Sequence, residues 1–538
     1  MAKAPKTTKY IFVTGGVLSG LGKGITAASL GTILKARGFA VNIMKCDPYL
    51  NTDAGTLNPA EHGEVFVTAD GAETDLDLGH YERFLDAQLT KSSSVMNGQI
   101  YTQLVADERA GKYLGKTVQV IPHVTDTIQE RIIAAGRGYD IHIVEIGGTV
   151  GDYEILAFLD AIRQFHRRVG ADNVVNAAVV YLPFLEATKE LKTKPAQNAV
   201  RDLRAAGVMT DIIFARADHP VDDRIITKMS LFCDLDKQAI VALPTAKSVY
   251  EVPLTLEHSG IADYICAKLG LPKTKANLKS WQKLNDTISD PAKPPVRIGI
   301  VAKYMDHEDT YMSVTEAIKA AAWAHGHQAK IVWIDAEKVG ADGAAAVIGA
   351  AEVAGIIVPG GFGSRGVEGK IAAAAYARDQ QVPYLGLCLG MQVAVIAVAR
   401  QAFGDPTVNT TEVDPDAKHP VIALMDAQRH IVEKGGTMRL GNYPCKLAKG
   451  SKARQAYGKD LVEERHRHRY EFNNIYRQPL AAAGLDIVGT SPDDALVEII
   501  ELADHPFFVA SQFHPEFTSR PQQPNPLFDA FMGAVTKK

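Results

Sequence analysis

The chain has 538 residues, more than one hydrophobic core usually organises, so we expect two large domains. Its formal net charge of −4 and the absence of a basic block argue against a nucleic-acid partner. No apolar run reaches transmembrane length, and no signal-peptide pattern precedes the first apolar segment, so we expect no membrane partner. Five scattered cysteines without metal-ligand spacing indicate a reducing, cytoplasmic compartment.

Apolar segments of strand length alternate with helical patterns along both halves of the chain. The first half contains Tyr10–Thr14, Ala40–Met44, His142–Ile146, Ala177–Leu182 and Asp211–Ala215. The second half contains Val296–Val301, Lys330–Ile334, Gly355–Val358 and Pro383–Leu387, with an alanine-rich stretch at 341–351 that predicts a helix. Continuous apolar strands between helices predict an α/β fold, in which each domain has a mostly parallel sheet covered by helices on both faces.

Helical and strand periodicity weakens between residues 271 and 295. Four prolines (Pro272, Pro291, Pro294 and Pro295) lie there among lysines and polar residues, with only a short helical pattern around Trp281. This composition is typical of an interdomain linker. We therefore expect a first domain at 1–270, a linker at 271–295 and a second domain at 296–538.

The first predicted strand leads into a glycine-rich loop, which is followed by Lys23 and a helix that extends to about Arg37. Glycines let a backbone approach phosphates, and a helix N-terminus with a lysine favours their negative charge. The spacing departs from the usual P-loop, because Val17 stands where a glycine is common and Gly24 follows the lysine. A structural glycine turn with a chance lysine is therefore the alternative interpretation.

Acidic residues near this loop favour the phosphate-binding interpretation. Glu145 lies near the end of a predicted buried strand, where such folds place a magnesium ligand. The segment 71–80 supplies further carboxylates in a predicted loop, although such a run is often only a solvated surface. Together these features predict a nucleotide site with bound Mg²⁺ in the first domain.

The second half contains the pattern of an activated cysteine. Cys388 lies in Gly386-Leu387-Cys388-Leu389-Gly390, between a strand-length run and a helical pattern at 391–402. This arrangement is the thiol version of the strand–turn–helix elbow that exposes a nucleophile. Far downstream, His514 and Glu516 are two residues apart, so on an extended strand they would face the same side. We expect Cys388 as nucleophile, His514 as base and Glu516 as its orienting group.

An inert buried thiol is the bland alternative, but the flanking glycines and the downstream His-x-Glu pair argue against it. The pattern resembles the class I glutamine amidotransferases, in which a cysteine attacks the side-chain amide of glutamine and releases ammonia. The segment Pro359-Gly360-Gly361-Phe362-Gly363 is similar to the oxyanion loop of that family.

Segments in both halves resemble the CTP synthase family. They are Ser19-Gly20-Leu21-Gly22-Lys23-Gly24, Met44-Lys45-Cys46-Asp47-Pro48-Tyr49, Glu61-His62-Gly63-Glu64-Val65-Phe66-Val67, Glu145-Ile146-Gly147-Gly148-Thr149-Val150-Gly151-Asp152, Lys192-Thr193-Lys194-Pro195 and Glu464-Arg465-His466-Arg467-His468-Arg469-Tyr470-Glu471. The resemblance implies an amidoligase domain joined to a glutaminase domain, which together convert UTP to CTP with ATP, Mg²⁺ and glutamine. It also implies activation by GTP, inhibition by the product CTP, and a homotetramer.

The resemblance assigns roles residue by residue. It implies ATP binding by Gly20, Leu21, Gly22, Lys23, Gly24, Ile25 and Asp77, with Lys45 as a second cation facing the phosphates. It implies magnesium ligation by Asp77 and Glu145. It implies UTP or CTP binding by Ser19, Asp152, Tyr153, Glu154, Lys192, Thr193, Lys194, Pro195, Ala196, Gln197 and Lys228. It implies glutamine binding by Gly361, Leu389, Gly390, Met391, Gln392, Glu412 and Arg469.

Two segments differ from the family pattern, and two rival functions remain. Pro244-Thr245-Ala246 departs from the expected ATP-contacting sequence, and Ser364 lies in a variable loop associated with GTP activation. One rival is a different ATP-dependent amidotransferase, which would leave the segments at 192–195 and 465–471 unexplained. The other is a regulatory or filament-forming protein with a dead site, but Cys388, His514 and Lys23 are all present.

Overall fold

A computed structural model describes residues 7–18, 20–305, 308–425, 428 and 436–537. Within these ranges, no helix is both long and apolar enough to cross a membrane. The chain divides into two compact units, the first comprising residues 1–53 and 80–286 and the second comprising residues 54–79 and 287–538. The segment 54–79 therefore belongs to the second unit, although it lies early in the sequence.

A parallel sheet forms the centre of the first unit. Its strands, in spatial order, are Ile240–Pro244, Ile212–Ala217, Val174–Tyr181, Lys9–Gly15, Ile141–Ile146, Val41–Asp47 and Ser94–Met96. Two small strands, Phe184–Leu185 and Glu190–Leu191, pair outside this sheet. The α-helices are Lys23–Ala36, Asn97–Arg109, Thr125–Gly136, Leu156–Val169, Lys194–Ala205, Asp223–Cys233, Val252–His258 and Ile261–Lys268. The helices Asp77–Leu85 and Lys279–Ser289 contain the boundaries between the units.

The second unit is built on a mixed sheet. Its strands, in spatial order, are Gln328–Asp335, Pro295–Ala302, Gly355–Val358, Tyr384–Leu387, Phe508–Ser511, Val497–Leu502, Leu485–Thr490, Arg439–Leu447 and Leu461–His468. Smaller strands are Phe66–Val67, Glu73–Thr74, Asn409–Thr410, Pro420–Leu424 and Tyr470–Phe472. The α-helices are Pro59–His62, Met312–Ala324, Ala336–Asp342, Ala344–Ala350, Val367–Asp379, Leu389–Phe403, Lys452–Tyr457, Arg477–Ala482 and Pro526–Thr536.

The structure confirms the α/β class and refines the second sheet. Pairing is parallel from Gln328–Asp335 as far as Phe508–Ser511, and antiparallel from there to Leu461–His468. The antiparallel strand Arg439–Leu447 alternates between buried and partly exposed residues, so it lacks the continuous apolar run that identifies a parallel strand. That difference explains why Arg439–Leu447 was not predicted, whereas four of the five strands in the parallel half were.

Two local expectations differ from the structure. The single helix expected at 341–351 is wrong, because two helices meet at Gly343, whose φ of 89° is left-handed and interrupts helical geometry. In the proposed linker, the short pattern around Trp281 is a helix, Lys279–Ser289, whose residues Trp281 and Leu284 are buried. Apolar burial therefore orders a segment whose composition is typical of a linker.

Close helix packing in the second unit depends on a glycine. Gly369 lies in the helix Val367–Asp379, and a β-carbon there would lie 1.7 Å from the carbonyl oxygen of Ala336. Backbone cannot yield to such an overlap as a flexible side-chain end can, so the two helices would have to separate. This helix borders the functional site described below.

We predict that Gly369→Ala destabilises the second unit by about 1–3 kcal/mol through this overlap. The matched control is Gly349→Ala, another helical glycine, where a β-carbon would meet only the Tyr376 hydroxyl at 3.5 Å. Calorimetry of the full chain should show a lower unfolding midpoint for Gly369→Ala and an equal or higher midpoint for the control. Equal midpoints in both variants would contradict this account of the packing.

Candidate functional site

Cys388 lies on a strained turn between a strand and a helix. The strand Tyr384–Leu387 ends directly before it, the helix Leu389–Phe403 begins directly after it, and its φ is 52°. A β-carbon on Gly386 would lie 2.7 Å from the Gly390 backbone, and one on Gly390 would lie 2.0 Å from the Val358 carbonyl oxygen. The flanking glycines therefore allow the tight turn, as the sequence predicted, and the left-handed cysteine is typical of a nucleophile elbow.

His514 and Glu516 form a buried hydrogen-bonded pair, although not on a strand. The strand Phe508–Ser511 ends earlier, and Glu516 lies in the 3-10 helix Pro515–Thr518, so the expectation of an extended segment is wrong. The proline after His514 favours a turn over a continued strand. The turn nevertheless places Glu516 Oε1 2.7 Å from His514 Nδ1.

The electrostatics of this pair favour a protonated imidazole. Burial by itself disfavours the imidazolium, but the negative charges of Glu516 and the Cys388 thiolate raise the pKa of His514 to about 10. His514 Nε2 is buried and has no hydrogen-bond partner in the described residues. A β-carbon on Gly360 would lie 2.9 Å from the His514 ring and 3.6 Å from Cys388 Cβ, so both side chains border the same small space.

Gln512 is a site residue that the sequence analysis did not identify. Its Nε2 lies 3.7 Å from Cys388 Sγ, while its Oε1 accepts a hydrogen bond of 3.3 Å from Gln392 Nε2. Gln392 also donates to the Tyr470 carbonyl oxygen at 3.1 Å, which orients both amides. The position two residues before the histidine was the only sequence signal available. An amide N–H at this distance can stabilise the thiolate.

The other four cysteines are unlike Cys388 in chemistry. Cys46, Cys233, Cys266 and Cys445 are buried, and burial raises the pKa of each thiol. A buried thiol with a raised pKa is a poor nucleophile because the thiolate is the reactive form.

The glycine loop at residues 359–363 borders Cys388. It follows the strand Gly355–Val358, and the Gly363 N–H donates to Glu412 Oε1 at 2.7 Å. Burial raises the pKa of Glu412. A β-carbon on Gly361 would lie 3.6 Å from Leu389 Cδ2, so three of the residues expected to bind glutamine, Gly361, Leu389 and Glu412, lie at or beside this loop. Arg469 instead donates to Gln428 and Thr437, at 2.5 and 3.0 Å.

A half-open pocket with a volume of about 80 Å³ lies beside the cysteine within the second unit. Its lining includes Cys388, His514, Gly360, Glu64 and Arg467. The Arg467 carbonyl oxygen is 3.8 Å from Cys388 Sγ, and its guanidinium donates to Glu73 at 2.8 Å. The contributions of Glu64, Glu73 and Arg467 were not predicted, because residues so distant in sequence carry no shared periodic signal.

In the first unit, the predicted phosphate loop connects the strand Lys9–Gly15 to the helix Lys23–Ala36. Val17 has a φ of 88°, a left-handed conformation that a β-branched residue rarely adopts. This explains why glycine is common at that position of phosphate loops. Lys23 Nζ donates to the Gly148 carbonyl oxygen at 3.1 Å. The lysine side chain therefore reaches from the start of its helix to the loop that follows the strand Ile141–Ile146.

Two further segments approach this loop. The Val150 N–H donates to the Gly15 carbonyl oxygen at 2.9 Å, which places the exposed segment 152–154 nearby. A β-carbon on Gly16 would lie 2.4 Å from Ala199 Cβ, so the helix Lys194–Ala205 packs against the loop. Thr193 precedes that helix and accepts a hydrogen bond from Gln197 at 3.0 Å. The helix that begins with Lys194, Pro195, Ala196 and Gln197 therefore contacts the phosphate loop, and the segment 152–154 follows another residue that contacts it.

Three other positions expected to bind the pyrimidine nucleotide are Lys192, Lys228 and Ser19. Lys192 pairs with Glu190, and the hydrogen bond and charge of Lys192, with the charge of Lys228, lower the pKa of Glu190. Lys228 is exposed on the helix Asp223–Cys233. Ser19 lies outside the described residues.

The expected magnesium ligand Glu145 lies near the end of the strand Ile141–Ile146 and is buried. It pairs with Lys45 Nζ at 3.1 Å and accepts a hydrogen bond from Tyr81. Asp77 begins the helix Asp77–Leu85. The described residues contain no group of three acidic, histidine or cysteine side chains that could hold a metal alone. Carboxylate oxygens, such as those of Asp77 and Glu145, are ligands that Mg²⁺ usually takes together with substrate phosphates.

Comparisons with known proteins cover nearly the whole chain. Residues 9–271 match the family model of the CTP synthase N-terminus, and residues 307–534 match that of the class-I glutamine amidotransferases. A CTP synthase of Chloroflexus aurantiacus is 57% identical, with 98% of this chain and 97% of the relative covered. A CTP synthase of Carboxydothermus hydrogenoformans is 54% identical, with 98% and 99% covered.

A solved structure, the glutaminase domain of Trypanosoma brucei CTPS with bound acivicin, is 40% identical. The match covers 45% of this chain and 94% of the Trypanosoma brucei chain, with a TM-score of 0.43. The two family models and the near-complete coverage of the relatives show that this chain belongs to the CTP synthase family.

Proposed function

We propose that the protein converts UTP to CTP, using ATP and the amide nitrogen of glutamine. The observation that carries this proposal is the cysteine elbow beside the buried His514–Glu516 pair. Family membership supports the substrates, since the relatives are named CTP synthases along nearly their full length.

In the proposed glutaminase reaction, Cys388 attacks the side-chain carbonyl carbon of glutamine. The raised pKa of His514 keeps the imidazole protonated, so it can deliver a proton to the departing ammonia. The imidazole, now neutral, takes a proton from water as the water oxygen attacks the thioester. The C–S bond then breaks, which releases glutamate and restores the Cys388 sulfur and the protonated imidazole. Backbone N–H groups of Gly361 and Leu389 are the proposed donors to the oxyanion, and Glu412, Arg469 and residues 390–392 would bind the glutamine.

In the proposed synthetase reaction, the oxygen on C4 of UTP attacks the γ-phosphorus of ATP and ADP leaves. Ammonia then attacks C4, and phosphate departs with the original oxygen, leaving the amino group of CTP. Residues 20–25 would hold ATP, with Lys23 and Lys45 offsetting charge on the phosphates. Ser19, Lys228 and the segments 152–154 and 192–197 would bind the pyrimidine nucleotide.

We propose that Asp77 and Glu145 hold Mg²⁺ with the ATP phosphates. The ion, when bound, neutralises phosphate charge and orients the transferring group. In this proposal Lys45 and Tyr81, which contact Glu145 in the structure, position that carboxylate.

We also propose a cytoplasmic homotetramer activated by GTP and inhibited by CTP, in which residues 1–270 perform amination and residues 296–538 hydrolyse glutamine. Light scattering with ATP and UTP tests the tetramer. Rates with glutamine and with ammonium, each measured with and without GTP, test activation, because GTP should accelerate only the glutamine reaction.

The proposal is tested most simply by Cys388→Ala. Removing the thiol prevents thioester formation, so CTP synthesis from glutamine should be lost. Synthesis from ammonium chloride at a pH that supplies free ammonia should remain, because the phosphate loop is unchanged. The control is Cys445→Ala, which removes another buried thiol of the same unit and should retain both activities. Glutamine-dependent synthesis by Cys388→Ala would show that the nucleophile is wrong.

The pH dependence of glutamine hydrolysis should change in Glu516→Gln. The carboxylate raises the pKa of His514 to about 10, so removing its negative charge should lower that pKa. We expect the alkaline limb of kcat/KM, measured by glutamate release, to move to lower pH. The rate should fall about 10-fold or more, because the imidazole also loses its orienting partner. An unchanged alkaline limb would contradict the assigned role of Glu516.

Lys23→Ala should abolish CTP formation from either nitrogen source. The cation stabilises charge on the transferring phosphate, and such losses are on the order of a hundred-fold or more in rate. The control is Lys35→Ala, in the last turn of the same helix, which should retain near-normal turnover. Near-normal turnover of Lys23→Ala on ammonium would show instead that this loop is only structural.

A further inference from the structure

Two buried lysines lie behind the glycine loop at residues 359–363. Lys370 is 0% exposed and Lys303 is 2% exposed. Within the described part of the chain, neither ammonium forms an ion pair with a carboxylate. A buried ammonium without a partner is costly, so its position depends on strong hydrogen-bond acceptors.

The acceptors are carbonyl oxygens of the loop itself. Lys370 Nζ donates to the Pro359 oxygen at 2.9 Å and is 3.5 Å from the Gly360 oxygen. Lys303 Nζ donates to the Phe362 oxygen and, at 3.2 Å, to the Gly363 oxygen. Two side chains thus bind four of the five carbonyl groups in the loop.

Binding a carbonyl group also fixes the direction of the next N–H group. A trans peptide is planar, so its N–H points away from its carbonyl oxygen. When the oxygens of Pro359 and Gly360 face Lys370, the N–H groups of Gly360 and Gly361 face the opposite side. Glycines could otherwise rotate these peptides freely, because they lack the steric restraint of a β-carbon.

The same loop borders the nucleophile. A β-carbon on Gly360 would lie 3.6 Å from Cys388 Cβ, and one on Gly361 would lie 3.6 Å from Leu389 Cδ2. Lys370 also interacts electrostatically with the cysteine. Burial and the charge of Lys303 lower the pKa of Lys370, and the charge of Cys388 opposes that shift. Burial lowers the pKa of Lys303 to about 8.

Both lysines project from rigid elements of the unit. Lys370 lies in the first turn of the helix Val367–Asp379, and its N–H donates to the Gly366 carbonyl oxygen at 3.1 Å. Lys303 directly follows the strand Pro295–Ala302. Side chains from a helix and a strand hold a loop more accurately than contacts from other loops would.

We propose that Lys370 and Lys303 are positioning residues for the oxyanion site. Lys370 holds the two peptides that carry the N–H groups of Gly360 and Gly361, so that these groups face the thioester centre. Lys303 anchors the next part of the loop, where the Gly363 N–H donates to Glu412. This inference rests on the proposed glutaminase reaction and deepens it. The lysines contact neither the glutamine nor the sulfur in this proposal, and act only through the backbone.

The central test is Lys370→Met, which keeps length and apolar character but removes the N–H donors. We expect kcat for glutamate release to fall about 10²- to 10³-fold, the loss typical of one oxyanion donor, while KM changes far less. Lys370→Gln, whose amide can still donate, should recover part of that loss. The control Lys338→Met removes an exposed lysine on the neighbouring helix Ala336–Asp342 and should leave kcat unchanged.

Two further readouts separate positioning from other effects. Iodoacetamide alkylation of Cys388 needs no oxyanion site, so its rate in Lys370→Met should stay within a few-fold of the unsubstituted enzyme. Ammonium-dependent CTP synthesis should also be retained, which shows that the chain is folded. A large fall in alkylation would overturn the proposal by showing that the lysine acts on the thiolate charge. Near-normal glutamate release would overturn it directly.

Lys303→Met provides an independent arm if Lys370→Met does not fold. It removes the donors to Phe362 and Gly363, and the same separation of a lowered kcat from an unchanged alkylation rate is expected. Unchanged kcat in a folded Lys303→Met would contradict the proposed role. Failure of the glutaminase proposal itself is distinguishable, because Cys388→Ala would then still hydrolyse glutamine.

Discussion

The buried hydrogen bond between His514 and Glu516 sets the protonation state on which the chemistry of the second unit depends. Without the carboxylate, burial would favour a neutral imidazole, since desolvation penalises its charged form. With it, the pKa of His514 rises to about 10, so the imidazole stays protonated at neutral pH. The strained turn at Cys388, the amide of Gln512 and the lysine-bound loop all lie near this pair.

The two units hold different charged groups at their candidate sites. In the second unit, a buried carboxylate pairs with an imidazole, and two buried lysines donate to carbonyl oxygens of one loop. In the first unit, Lys45 and Glu145 lie near the carboxyl ends of two parallel strands, and Lys23 begins a helix whose N-terminus is suited to phosphates. This division fits acyl transfer in one unit and phosphoryl transfer in the other, which require different environments.

The parallel strands and the cysteine elbow could be predicted because their signals are local. Continuous apolar runs mark the strands, and two glycines bracket Cys388 within five residues. The antiparallel strand Arg439–Leu447 was not predicted because its alternating burial resembles ordinary surface sequence. Val497–Leu502 is almost wholly buried, but Glu498 and Glu501 interrupt its apolar run. The 3-10 helix that contains Glu516 was also not predicted, although the pairing of His514 with Glu516 was. The spacing of two residues indicates which side chains can meet, but it does not determine the backbone conformation between them.

Contacts between residues far apart in the chain could not be predicted from the sequence. Lys370, Lys303 and Gln512 lie far from one another along the chain and carry no motif that assigns them a partner. Only the fold shows that Lys370 Nζ meets the Pro359 carbonyl oxygen, or that Gln512 Nε2 faces Cys388 Sγ. Similarly, residues 54–79 belong with the second unit, which no periodicity could have indicated.

The most direct test of the central claim follows two isotopes into the products of one reaction. The enzyme would receive ATP, glutamine labelled with ¹⁵N in its amide, and UTP labelled with ¹⁸O at C4. Mass spectrometry should find ¹⁵N in CTP and ¹⁸O in the released phosphate, because glutamine donates the nitrogen and phosphorylated UTP loses its oxygen. CTP without ¹⁵N, or phosphate without ¹⁸O, would contradict the account.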